Sequence, residues 1–147
     1  MNANDPPNFA SDELPWMPVS PGFCLKLLHG ETEEDTRALL LRLEPGTTVG
    51  LHRHHGEVHA FQLTGHRQLI ETGEIIGPGQ YLYEPAGNMD SWKAVGNEPL
   101  LVFVTVRGSI EELDVHGAVS GTTTTRTIAD DFRRYRIEHE GHRNEPG

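Results

Sequence analysis

His52-Arg53-His54 sets two imidazoles two residues apart. On a β-strand such residues point to one side, so His52 and His54 offer a pair of nitrogen ligands while Arg53 and His55 point away. His59 opens the next apolar run, and a short turn around Gly56 would fold it back toward that pair. Farther along, Gly77 to Asp90 reads as turn, strand and turn, and ends on a carboxylate. If the fold brings Asp90 beside His52 and His54, the set is two imidazoles and one carboxylate. That is the facial arrangement of non-haem Fe(II) oxygenases, which leaves positions for O₂ and substrate. His59 is then a fourth ligand or a hydrogen-bonding neighbour that orients one.

The composition narrows the chemistry further. Cys24 is the only cysteine, which excludes an intrachain disulfide and a cysteine-based zinc cluster. A metal here must therefore live on nitrogen and oxygen. With 12 Lys+Arg against 22 Asp+Glu the formal charge is -10, so nothing draws the chain to nucleic acid or anionic lipid. No apolar run is long enough to span a bilayer, and the polar N-terminus lacks the order of a signal peptide, so a cytoplasmic protein is expected. Of the nine histidines, His29, His66 and His116 adjoin glycines, and His139 and His142 lie in the polar C-terminal stretch. These are read as surface residues. Cys24, in an apolar run, is read as a small buried hydrophobe.

The elements that must position the ligands are short strands. Sixteen Gly and ten Pro are spread along the middle as turn punctuation, the pattern of an all-β sandwich or barrel in a single domain. Apolar runs recur at 23–28, 38–43, 58–63, 67–71, 81–83 and 100–106. The acidic stretch 31–36 reads as the solvated tip of a hairpin. Residues 1–12 read as a flexible arm ahead of one domain, 13–147. A short C-terminal α-helix is expected at about 128–140, with Ile128, Phe132 and Tyr135 on one face, Thr127 as its cap, and Asp130 and Asp131 in its first turn. The preceding Thr122–Thr125 run reads as a linker or edge strand.

Both ligand segments resemble the paired motifs of the cupin superfamily. The first cupin motif opens on Gly, carries His-x-His and then Glu, and closes on Gly. This chain has Gly46, His52, His54, then His59 in place of the Glu, and Gly65. The second runs from Gly through Pro-x-Gly to a His; here stand Gly79, Pro85, Gly87 and, in place of that His, Asp90. More narrowly, the 52–61 and 83–87 stretches are similar to the acetylacetone-cleaving and dihydroxyacetophenone dioxygenase branch. The lead-in Leu14-Pro15-Trp16 to Pro21-Gly22-Phe23 and the helical C-terminus resemble that branch as well. The resemblance implies a double-stranded β-helix (jelly-roll) barrel, a homodimer or homotetramer, with a metal near one mouth. It also implies Fe(II), held mainly by histidines, that cleaves a C–C bond of a small diketone or hydroxyketone with O₂. His52 and His54 carry over directly and His59 as a histidine near the metal. Asp90 departs from the pattern. Either it ligates, giving a two-His-one-carboxylate site, or its shorter reach leaves the site weak or inactive.

Strand parity adds candidates. Arg67, Leu69 and Glu71 share a face, and Glu71 turned inward would be a general base; the same face turned outward would be plain strand surface. Glu84 shares a face with Leu82, can pair with Arg67, and stands where the resembled branch has a Glu. Phe61 and Phe103 are pocket or core, and Trp92 either stacks on a substrate or plugs the barrel end. Tyr81 and Tyr83 line a mouth or sit half-exposed. The leading expectation is an Fe(II) dioxygenase whose partners are a small carbonyl substrate and O₂, with Zn, Ni or Mn also compatible with the ligands. The alternatives are a non-catalytic cupin with a zinc or degenerate site, closed if His59 supplies a fourth ligand, and a metal-dependent isomerase or hydrolase with Glu71 as base. The stretch ahead of the first strand is short for a sigma-binding segment, which sets aside an anti-sigma role.

Overall fold

Alternation along the strands builds two layers. In Leu100–Arg107, Leu100, Val102, Val104 and Val106 are buried while Leu101, Phe103 and Thr105 face the other side, the period of two that a pleated strand imposes. The computed structural model describes residues 8–143, and side chains as far as residue 139. The strands in chain order are β1 (Met17–Ser20), β2 (Phe23–Glu31), β3 (Thr36–Leu43), β4 (Thr48–His54), β5 (Val58–Thr64), β6 (His66–Leu69), β7 (Ile75–Ile76), β8 (Tyr81–Glu84), β9 (Met89–Val95), β10 (Leu100–Arg107), β11 (Ile110–Leu113) and β12 (Val119–Thr123), followed by helix α1 (Thr125–Arg143). One sheet has the order β1-β2-β3-β10-β5-β8 and the other β12-β11-β4-β9-β6-β7, every pairing antiparallel. This is the expected all-β jelly roll with a single C-terminal helix.

The chain passes from one sheet to the other between β4 and β5. Gly56 makes the crossing possible, because a Cβ there would meet the Arg107 carbonyl oxygen at 2.1 Å. The turn at Gly65 (φ 75°) likewise leaves no room for a side chain, because a Cβ there would lie 2.7 Å from the Pro99 oxygen. Strand β9 was not separated from the preceding turn in the sequence, yet it carries Asp90, Trp92 and Ala94 on its buried face.

The acidic stretch does tip the β2–β3 hairpin, but one of its residues is no mere solvated loop. Asp35, at a left-handed φ of 51°, accepts a hydrogen bond at Oδ1 from the Thr125 amide (2.8 Å) and so fixes the start of α1. The helix begins three residues before its expected start. Its cap is Thr124, not Thr127: the Thr127 amide donates to Thr124 Oγ1 (3.2 Å) and the Thr124 amide to Thr127 Oγ1 (2.9 Å). Asp130 and Asp131 consequently lie beyond the first turn, where they pair with Arg133 and Arg134. The face of Ile128, Phe132 and Tyr135 docks on the core as its spacing predicts, and α1 packs against β2. Of the expected N-terminal arm, residues 1–7 lie outside the described residues. Ser11–Glu13 form a 3₁₀ turn held by Lys26 Nζ donating to the Ser11 carbonyl (2.8 Å). No helix among the described residues is long and apolar enough to cross a membrane.

Candidate metal centre

Strands β4 and β9 run antiparallel with His52 directly opposite Asp90. Directly opposed residues have Cβ atoms about 5 Å apart, so even the short Asp side chain reaches the imidazole. His52 Nε2 lies 2.9 Å from Asp90 Oδ1, and His54 Nε2 lies 3.8 Å from the same oxygen. Ligand atoms of the three residues all fall within 4.8 Å of one another, a group able to hold a metal ion. The two rings sit edge to face with centroids 4.7 Å apart. His52 Nδ1 is 2.7 Å from the Gly50 carbonyl, which accepts its proton and leaves Nε2 with the lone pair.

The donor set fits a first-row divalent metal. All three residues are buried, and His54 Nδ1, His54 Nε2 and Asp90 Oδ1 have no hydrogen-bond partner among the described residues. The 2.9 Å approach of His52 Nε2 to Asp90 Oδ1 lacks the alignment of a hydrogen bond, so it leaves Asp90 Oδ1 unpaired. Buried ligand atoms left in this state are costly, and a cation among them removes the cost.

The electrostatics favour the ligating forms of Asp90 and His54 but not of His52. Burial opposes ionisation of Asp90, but contact with His52 and Glu84 and the charge of His54 hold it well below the usual carboxylate range. Burial and the charges of His52 and Arg37 bring His54 down to about 4 against the pull of Asp90. For His52, burial favours the neutral ring, but Asp90, the Gly50 carbonyl and Glu84 outweigh it and raise the pKa. Glu84 shifts the other way. Burial first, then the adjoining Asp90, push its carboxyl up to about 8, against Arg67 and His52. Its Oε2 lies 3.4 Å from His54 Nε2, and Asn88 Nδ2 donates to its Oε1 at 3.3 Å.

The centre borders a barrel cavity of about 360 Å³ with a mostly apolar wall. His52, His54, Glu84, Arg67 and Trp92 line it, along with Leu39, Val58, Val104 and Val106. Arg67 is buried and its guanidinium lies 4.8 Å over the Trp92 ring, so Trp92 is a wall braced by a cation. Arg67 feels the charges of Glu84 and Asp90 without a direct ion pair to either among the described residues.

Four expected site residues stand elsewhere. On β5 it is Val58, Ala60 and Gln62 that face inward, so His59, Phe61 and Leu63 face out. His59 is bonded to the Tyr81 hydroxyl, packs on the Tyr81 and Tyr83 rings and lies 3.5 Å from Glu57, away from the metal group. Tyr81 and Tyr83 are exposed with it rather than at the cavity. Phe61 is 43% exposed, and Phe103 lies across from it on the same outer face. Glu71 falls past the end of β6, exposed, with its carboxylate accepting from the Ser91 amide (2.8 Å) and hydroxyl, so it holds β9 from outside rather than serving as an inner base. Cys24 is half-buried, and burial raises its pKa.

One cavity residue escaped the sequence reading. Arg37 lines the cavity beside Leu39 and Leu41, inward by the same parity along β3. The signal was present as Arg37-x-Leu39-x-Leu41-x-Leu43, hidden by starting the strand at Ala38.

Residues 8–109 match the family model described as the ChrR Cupin-like domain. No curated protein matches the chain. An RmlC-like cupin protein from Ralstonia eutropha shares the fold with a TM-score of 0.84 at 20% identity, over 89% of this chain and 87% of that one. An acetylacetone dioxygenase from Acinetobacter johnsonii does so with a TM-score of 0.77 at 16% identity, over 91% and 94%. Rhodobacter sphaeroides SigE in complex with the anti-sigma ChrR is similar over 65% of this chain and 50% of that one, with a TM-score of 0.56 at 18% identity. At such identities the likeness is one of fold. The family match covers most of the chain, and on that ground the protein belongs to the ChrR cupin-like family of the cupins.

Proposed function

We propose that this cupin is an Fe(II)-dependent dioxygenase that cleaves a C–C bond of a small diketone or hydroxyketone. The observation that carries the reading is a count of ligands. Two imidazoles and one carboxylate converge at the wall of a mostly apolar cavity, and His59, the candidate fourth ligand, faces the other way. Three protein ligands leave coordination positions for substrate and O₂, whereas a filled four-ligand set suits a structural site.

Bound at His52, His54 and Asp90, Fe(II) supplies a redox partner for O₂ and a positive centre for the substrate's oxygens. The protein's own groups do the rest. Val58, Val104, Val106 and Trp92 wall the cavity in apolar surface, which excludes water from the reacting carbons. Glu84, protonated up to about 8, holds a proton next to His54 and donates it to a substrate oxygen as charge builds there. Arg67, braced on Trp92, keeps a positive charge facing Glu84 and Asp90. The bond next to the carbonyl breaks, and both atoms of O₂ end in the products.

The test is anaerobic reconstitution with Fe(II), followed by O₂ uptake with pentane-2,4-dione and with a hydroxyketone series. Uptake that matches product formation one to one supports the reading. A loaded protein that consumes no O₂ with any of them sinks it. Conversion without O₂ would mark an isomerase or hydrolase, and firmly held zinc with neither activity a binding module.

A further inference from the structure

The barrel cavity is larger than a small diketone needs. At about 360 Å³ it falls in the range of about 300–1,000 Å³ that takes up drug-sized ligands. A molecule as small as pentane-2,4-dione leaves much of its apolar wall in contact with water, which is costly.

Strand register gives the cavity its long axis. On β3 the inward residues Arg37, Leu39 and Leu41 all line it. Arg37 stands opposite Val106 of β10, Val106 opposite Val58 of β5, and Val58 opposite Glu84 of β8. Glu84 Oε2 is 3.4 Å from His54 Nε2, so this row is the metal end. Leu41 stands opposite Leu25 of β2, and at about 3.3 Å per strand residue its row lies roughly 13 Å from that of Arg37.

Polarity follows the same axis. The charged residues of the lining gather at the metal end, where Glu112 opposes His52 across the β11–β4 pair and Arg67 faces Glu84 and Asp90. Gly22 packs against Thr47, which brings the start of β4 to the far end. There the walls are Phe23, Leu25, Leu41 and Val49, and Val19 at the lip is 50% exposed. Thr48 and Gly50 also line the cavity and are exposed, so this end opens to solvent.

We propose that the cavity's ligand carries an extended alkyl chain, with its oxygens at His52, His54 and Asp90 and the chain running past Leu39 and Leu41 to the lip at Val19 and Phe23. This rests on the metal-centre reading above and narrows its substrate to a long-chain diketone or hydroxyketone. Leu41, remote from the ligand atoms, then sets the chain length that is accepted.

The test measures binding of pentane-2,4-dione, octane-2,4-dione and decane-2,4-dione by calorimetry on zinc-loaded protein, where no turnover intervenes. A second arm compares hexan-2-one with decan-2-one on metal-free protein. Each methylene buried in the passage should tighten binding about 3-fold, so decane-2,4-dione should bind the zinc form at least ~30-fold tighter than pentane-2,4-dione. Leu41→Trp fills the far row and should cut that ratio at least ~10-fold. Affinities that stay level or fall along the wild-type series overturn the proposal without any variant needing to fold. A ratio unchanged in a folded Leu41→Trp protein overturns it too, because the chain then lies elsewhere. The metal-free arm separates the two ideas: failure to retain a metal sinks the dioxygenase reading, while the chain-length dependence of the methyl ketones still judges the passage.

Discussion

His52 and Asp90 are register partners on adjacent antiparallel strands, with Nε2 and Oδ1 2.9 Å apart. A carboxylate is shorter than the histidine that the resembled motif carries at this position. Direct opposition across the β4–β9 ladder makes up the reach. The same opposition makes the contact depend on backbone pairing rather than on a flexible side chain.

Asp90→Ala should therefore lose metal, not fold. With iron or zinc measured by elemental analysis after dialysis, the wild type should hold one ion per chain. The variant should bind at least ~100-fold more weakly, since loss of even an orienting neighbour costs 10–100-fold. Asp90→His should retain metal. Unchanged metal content in Asp90→Ala would remove Asp90 from the ligand set.

His59→Ala should keep the full metal content. The side chain lies on the outer face of β5 against Tyr81 and Tyr83, so its loss costs aromatic packing of about 0.5–1.5 kcal/mol and nothing at the centre. Urea unfolding and elemental analysis on one preparation separate these effects. A fall in bound metal would place His59 functionally beside the centre after all.

Glu84 predicts a pH dependence in the metal-free protein. Its folded pKa, about 8, stands above the unfolded value of 4.5. The folded state thus keeps a proton that the unfolded state has released. The contribution is fully present below the unfolded value and is lost as pH rises through about 8. Wild-type stability should fall relative to Glu84→Gln between these limits, read from denaturant midpoints at a series of pH values. Parallel profiles for the two proteins would mean that Glu84 is ionised in the fold.

Helix α1 should be held more by its face than by its cap. Phe132 is 3% exposed in the core, and Phe132→Ala should cost about 3–5 kcal/mol. Thr124→Ala removes one cap bond and should cost about 1 kcal/mol. Thermal unfolding of both variants checks the order. A larger effect at Thr124 would show that the Thr124–Thr127 cap, not the packed face, secures the helix.

Much of this molecule could be read from spacing alone. A period of two put His52 and His54 on one side of a strand. Glycines and prolines marked the turns of an all-β sandwich or barrel, and Ile128, Phe132 and Tyr135 marked the buried face of α1. These are local matters, settled by the geometry of a single element. Tertiary structure decided which face of each strand is the inside. His59, Phe61 and Leu63 share a face as their spacing requires, but Val58, Ala60 and Gln62 share the other, and apolar residues on both sides left the choice open. The crossing at Gly56 moves the chain between sheets, so the inward parity of β4 does not carry into β5. Glu71 went astray because β6 stops at Leu69, and Arg37 because β3 starts before the apolar run does. Asp90 shows both limits together. Its place in the motif was legible, but its reach to His52 depends on the register of two strands far apart in sequence, which no local pattern encodes.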